Sequence, residues 1–150
     1  MRSWRYLQPR RLARVARRVW AGPCSLVGLV FAAIVLLLGG RARRAAGTLE
    51  VTFCEDEASR PRLARWLPFR AIALGHVIIA VGSRQLETLR AHERVHVRQY
   101  ERWGIAFFPA YAASSVWQWL RGRRAYWDNH FEVEARSRSA WSQADGRGAS

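Results

Sequence analysis

Ser83-Arg-Gln-Leu-Glu-Thr-Leu-Arg-Ala-His92-Glu-Arg-Val-His96-Val-Arg-Gln-Tyr-Glu-Arg-Trp103-Gly104 is the stretch on which the reading of this chain turns. Its Leu, Glu, Arg and Gln content predicts a helix from about Arg84 to Trp103, with Ser83 placed as a cap and Gly104 as a stop. On such a helix His92 and His96 lie four residues apart, on one face and one turn from each other, so both imidazoles can converge on a single metal ion. Glu93 is offset around the helix and can reach a water on that ion, which makes His92-Glu-Arg-Val-His96 an H-E-x-x-H pattern. Arg90, Arg94 and Arg98 also recur at four-residue spacing and read as a solvated face.

A catalytic zinc site keeps three protein ligands and one open position, so a third ligand must come from another element. Asp128-Asn-His-Phe-Glu132-Val-Glu134-Ala-Arg136 offers one, with Glu132 lying 36 residues beyond His96. Glu132 and Glu134 point about 200° apart on a helix, so one of them at most faces the metal. The polar and small neighbours Asp128, Asn129 and Ala135 favour Glu132, and His130 is the alternative ligand in the same segment.

Upstream of the motif helix, Thr48-Leu-Glu-Val-Thr-Phe-Cys54 alternates apolar and polar and predicts a strand closed by a loop at Glu55-Asp-Glu57. Ala71-Ile-Ala-Leu-Gly-His-Val-Ile-Ile-Ala-Val81 predicts a buried strand directly before the helix. Downstream, Trp103 to Leu120 carries no charge for eighteen residues, though Pro109 and Ser114-Ser115 interrupt it. Hydropathy leaves it open as a second membrane helix or a core helix. A span would separate His92 and His96 from Glu132 by roughly 30 Å, which zinc bonds near 2 Å cannot bridge, so the expectation is that it folds back. Asp128 to about Trp141 predicts the last helix.

The 150 residues carry 25 arginines, no lysine and 11 acids, a net charge of +14. Ten arginines and no acid fall in residues 1–44, beside the apolar run Val19–Gly40 instead of on a folded domain, which argues against a nucleic-acid binder. That run predicts a transmembrane anchor, with Pro23 at its start, Gly39-Gly40 at its end and Trp20 at an interface. Arg41, Arg43 and Arg44 behind it disfavour signal cleavage, and the basic head predicts a single-pass protein with a cytoplasmic N-terminus and an outside C-terminal domain. Cys24 and Cys54 are a poor basis for a disulfide and are expected to remain thiols.

Gly75-His-Val-Ile-Ile79, His92 to Gly104 and Asp128 to Ala135 together resemble minimal gluzincin-type metallopeptidases, including small bacterial membrane-anchored zincins. The Glu132-Val-Glu-Ala-Arg136 segment is similar to the E-x-x-A-D element of membrane-bound gluzincins. The resemblance covers about residues 70–140 and implies zinc held by His92, His96 and Glu132, with Glu93 as general base. It departs at Arg136, where those enzymes carry an aspartate supporting a ligand histidine, a role left to Asp128 or Glu134. It implies the strand Ala71–Val81 as the wall along which an extended peptide lies. Tyr111, Tyr126 and His130 are candidates to stabilise an oxyanion.

The expected fold class is thus α+β: an N-terminal transmembrane helix, then a small zincin-like domain with a short β-sheet packed on the H-E-x-x-H helix and two further helices. The expected divisions are a basic segment 1–18, an anchor 19–40, a linker 41–47, the domain 48–141 and a flexible tail 142–150. The expected function is a membrane-anchored zinc metalloendopeptidase acting on a peptide or protein substrate. A catalytically silent zinc-binding domain and a basic membrane protein on anionic lipid are the other readings. Membrane lipid and an oligomer are expected partners, and nucleic acid is not.

Overall fold

A computed structural model describes residues 9–55 and 61–147. Helices α1 (Pro9–Trp20) and α2 (Gly22–Leu37) come first, followed by strands β1 (Arg41–Ala45) and β2 (Thr48–Cys54) and the one-turn helix α3 (Arg62–Arg65). The hairpin β3 (Ala71–Leu74) and β4 (Val77–Gly82) leads into α4 (Ser83–Trp103), a 3-10 turn (Gly104–Ala106), α5 (Phe107–Leu120) and α6 (His130–Arg147).

The strands form one sheet in the order β1-β2-β4-β3, with β2 and β4 parallel and both outer pairs antiparallel. Strand β4 is buried along its whole length, which is why its sequence is an unbroken apolar run. Its side chains alternate between two cores. Ile78 and Ala80 pack with Leu86, Val97 and Tyr100 of α4 and with Phe107 and Phe131, while Val77, Ile79 and Val81 pack with Ala32 and Val35 of α2. The domain is therefore layered, with α2 on one face of the sheet and α4 on the other.

The run Val19–Gly40 does not form the expected transmembrane anchor. Its helix, Gly22–Leu37, has 16 residues, a length of about 24 Å against a hydrocarbon core of about 30 Å. Among the described residues no helix is long and apolar enough to cross a membrane, so the single-pass localisation and its orientation fall with the anchor. The helix instead docks on the sheet through Gly28, Ala32 and Val35, while Cys24 near its start enters the core shared with Tyr100 and Phe107. A Cβ on Gly28 would stand 2.6 Å from the Leu74 carbonyl oxygen and 2.8 Å from Val77 Cβ, so only glycine permits this approach.

Other expectations are also corrected. Ala71–Val81 is not one strand but a hairpin turning at Gly75-His76, so the sheet's edge beside the motif helix is β3. Residues 41–45, read as linker, form strand β1 although four of the five are exposed arginine or alanine without β-propensity. Trp103–Leu120 is a 3-10 turn and a 14-residue helix with Pro109 in its first turn, where proline is tolerated. The last helix runs six residues past Trp141, to Arg147. Gly82, not Ser83, is the cap residue of α4, and the helix stops where Gly104 takes φ +56°. Asp56 and Glu57 of the proposed loop and residues 148–150 of the tail lie outside the described residues.

Nor is the arginine face of α4 simply solvated. The Glu50 side chain on β2 is fully buried, and it receives Arg43 Nε at 2.9 Å and Arg90 Nε at 3.0 Å, with Arg94 Nη2 at 3.7 Å. One carboxylate thus ties strand β1, strand β2 and the motif helix together, while Arg98 remains exposed.

Candidate metal centre

The motif helix is held to the sheet by Leu86, Val97 and Tyr100, all buried, and this fixes which way its polar residues face. His92 and His96 come together with Nε2 atoms 3.1 Å apart and rings edge to face. The chemistry of His96 is set by Gln99. The amide nitrogen of Gln99 donates to the Phe131 carbonyl at 3.1 Å and to Glu134 Oε2 at 2.9 Å, which turns its oxygen toward His96. His96 Nδ1 then donates to Gln99 Oε1 at 2.8 Å, leaving Nε2 with a lone pair directed at His92 and Glu132.

Glu132 arrives from the first turn of α6. Asn129, fully buried, caps that helix by accepting from the Phe131 N–H at 2.9 Å. Its amide donates to the Tyr111 carbonyl at 3.0 Å and to Ser115 Oγ at 2.7 Å, while the His130 N–H donates to Ser114 Oγ at 3.0 Å. The Ser114-Ser115 pair that interrupts the apolar segment is therefore what seats the start of α6. Tyr111 Oη donates to Glu132 Oε1 at 2.9 Å.

His92, His96 and Glu132 form a cluster whose ligand atoms all lie within 4.8 Å of one another. His92 Nε2 is 3.3 Å from Glu132 Oε2 and His96 Nε2 is 3.4 Å from Oε1. Ligands on a tetrahedral ion with bonds near 2.05 Å stand about 3.3 Å apart, so the donor set fits zinc in number, type and spacing. A second observation agrees with that fit: Glu132 Oε2 is buried and has no hydrogen-bond partner among the described residues. Burial acts to raise the Glu132 carboxyl, but the imidazoles of His92 and His96 override it and hold the group far below the ordinary carboxylate range. For His96 burial acts to lower the imidazole, and the carboxylates of Glu132 and Glu93 reverse this and raise it.

Glu93 is buried beside the cluster, and desolvation raises its carboxyl. The imidazoles of His96 and His92 and the nearby backbone of Ala73 in β3 act against that rise, more weakly than burial. All four groups open onto a cleft of about 870 Å³, walled by Ile72 and Leu74 of β3, by Phe107, Phe108 and Tyr111 of α5 and by Trp127. Tyr126 lines the same cleft, its phenol pushed up to about 12, chiefly by burial. Tyr111 is raised for the same reason and by its bond to Glu132.

Of the other sequence candidates, His130 is exposed, with its ring against Phe131 and not in the cleft. Glu134 pairs with Gln99 and Arg138, and Asp128 with the backbone and side chain of Arg124, so neither supports a ligand histidine directly. Gln99 takes that part. Sequence reading missed it, although Gln99 stands one turn beyond His96, and read Asn129 only as a polar neighbour of Glu132, not as the cap that seats α6. Arg136 lies over the Trp127 ring, donates to the Trp127 carbonyl and places Nη1 3.9 Å from Glu132 Oε2.

Compared with family models, curated proteins and solved structures, the chain matches none.

Proposed function

We propose that this domain is a zinc-dependent hydrolase of peptide bonds. The observation that carries the reading is the convergence of two imidazole Nε2 atoms and a buried carboxylate beside a second buried carboxyl, Glu93, on an apolar cleft. His92, His96 and Glu132 would hold the ion, which when bound supplies Lewis acidity and lowers the pKa of a coordinated water to near 7. Glu93 is the proton carrier. Its raised carboxyl brings it nearer the neutral range in which a general base both accepts and returns a proton. Tyr111 holds Glu132 in place, and the aromatic walls give the reacting groups an apolar surround. Strand β3 is an open sheet edge on the cleft, suited to receive an extended peptide by strand addition.

The test is metal content and hydrolysis of a peptide library by the purified chain. Wild type is expected to carry one zinc and to cleave, Glu93→Gln to keep the zinc and lose about 10²- to 10⁴-fold of the rate, and His92→Ala to lose both. Zinc at one per chain without cleavage of any peptide would leave a silent zinc-binding domain, and a wild type that takes up no zinc would overturn the reading.

A further inference from the structure

Helix α2 carries an outward face that its packing leaves uncovered. The residues it buries are small or medium, and the large ones point away: Leu26, Leu29, Val30, Phe31, Ile34 and Leu37 are all exposed, Phe31 by 51% and Leu37 by 88%. This surface is the convex side of a helix and not a groove, so it has no cradle for a peptide segment. The preceding helix α1 adds exposed Val15, Val19 and Trp20 beside Arg17 and Arg18. On β1, past the end of α2, exposed Arg44 shares the α2 face of the sheet, while Arg41 and Arg43 lie on the α4 face, paired with Glu55 and Glu50; the first carboxylate in the chain is Glu50. Apolar bulk beside exposed arginines, in a stretch of residues 1–44 that holds no acid, describes a particular kind of partner.

We infer that the outward face of α2, with α1, is a docking surface for an anionic lipid bilayer, into whose interface the helix lies sideways without crossing. Its orientation follows from contact along its whole length. Near its start Ser25 hydrogen-bonds His76 in the β3–β4 turn, in the middle Gly28 meets Val77, and past its end Gly40 meets the Thr52 carbonyl. The sheet therefore lies parallel to the helix, and a bilayer that meets the outward face meets it along its side. Arg17, Arg18 and Arg44 then reach phosphate head groups while the leucines, valines and Phe31 enter the acyl boundary. A second copy of this chain suits the surface less well, because pairing through α2 would bring together two basic heads, each with ten arginines and no acid in residues 1–44. The inference is independent of the metal centre, which lies on the opposite face of the sheet.

Flotation of the full chain with phosphatidylcholine vesicles, with and without about one-third phosphatidylglycerol, tests it. Wild type is expected to partition about tenfold more strongly onto the anionic vesicles, less so at high salt. Phe31→Glu and, separately, Leu37→Glu, each with an unchanged circular dichroism spectrum, are expected to weaken partition about tenfold or more. Arg17→Gln with Arg18→Gln should weaken it several-fold, whereas Arg98→Gln, on the motif helix across the sheet, should change it by less than about twofold. Equal partition onto neutral and anionic vesicles, or no partition at all, overturns the inference. So does a wild-type dimer in sedimentation that Phe31→Glu makes monomeric while neither protein floats with vesicles.

Discussion

Helices α2 and α4 cover opposite faces of the same sheet and reverse the usual relation between composition and burial. Helix α2 is apolar nearly throughout, yet it buries Cys24, Gly28, Ala32 and Val35 and leaves its leucines and Phe31 outside. Helix α4 is polar by composition, yet it buries Glu93, His96 and Gln99. Burial here follows which residues meet the sheet and which meet the site, so the mean hydropathy of a segment does not report where its side chains go. Buried polar groups persist only when paired, and those of α4 are paired with one another, with α6 or with β3.

If burial rather than composition sets the cost of a substitution, the largest effect on stability belongs to a charge. Glu50→Ala strands Arg43, Arg90 and Arg94 around an empty position and is expected to cost about 3–5 kcal/mol, measured by urea unfolding. A loss below 1 kcal/mol would mean that the ion cluster adds little. Next comes Gln99→Leu, which keeps the volume but removes the partner of His96 Nδ1. Zinc affinity should fall about 10- to 100-fold by competition with a chelating dye, and an unchanged affinity would break the case that Gln99 sets the histidine's orientation.

The third test uses pH. In the metal-free chain Glu132 is depressed below its ordinary 4.5, so its stabilising contribution is present above that value and lost as pH falls through the folded pKa. His96 is raised above its ordinary 6.5, so its contribution is complete below 6.5 and lost as pH rises through the folded pKa. Melting temperatures of the chelator-treated chain should therefore be highest between about 4.5 and 6.5, and a monotonic rise through neutrality would contradict the coupling. Zinc competes with the same His96 proton, so its affinity should decline by about tenfold per pH unit once pH falls below that raised pKa. The smallest effect is expected on the other helix. Leu37→Gln, at a position 88% exposed, should change stability by less than about 0.5 kcal/mol despite removing a leucine from the most apolar segment of the chain.

The motif helix was legible because spacing and composition agree there: two histidines at i and i+4, a helix-forming background and a glycine stop yield an element observed over Ser83–Trp103. The bounds of α2 were close to legible too, since Pro23 and Gly39-Gly40 mark a helix that runs Gly22–Leu37. Its setting was not, because a window of leucine and valine looks the same to lipid and to a sheet, and Gly28 and Ala32 at four-residue spacing were the overlooked sign of a packed face. Strand β1 was hidden by its arginines, which tell against a strand in isolation and are tolerated where one edge faces water. Within the site, two residues of the pattern and the later glutamate come together in space. Gln99 and Asn129 stand at local spacings that flag them, but Tyr111 and the Ser114-Ser115 pair join the site through tertiary contacts that no local spacing encodes.

The two outer strands of the sheet also differ in what they invite. An unpaired strand edge is a template on which any extended chain can add, and identical molecules are the most abundant candidates. Strand β1 answers with Arg41, Arg43 and Arg44, so a second β1 approaching it meets like charge and self-templated growth on that side is discouraged. Strand β3, Ala71-Ile-Ala-Leu74, carries no charge at all, and lines a cleft of about 870 Å³ bounded by Phe107, Phe108 and Trp127. On that side it is the walls of the cleft, and not charge, that a second copy of the chain would meet first.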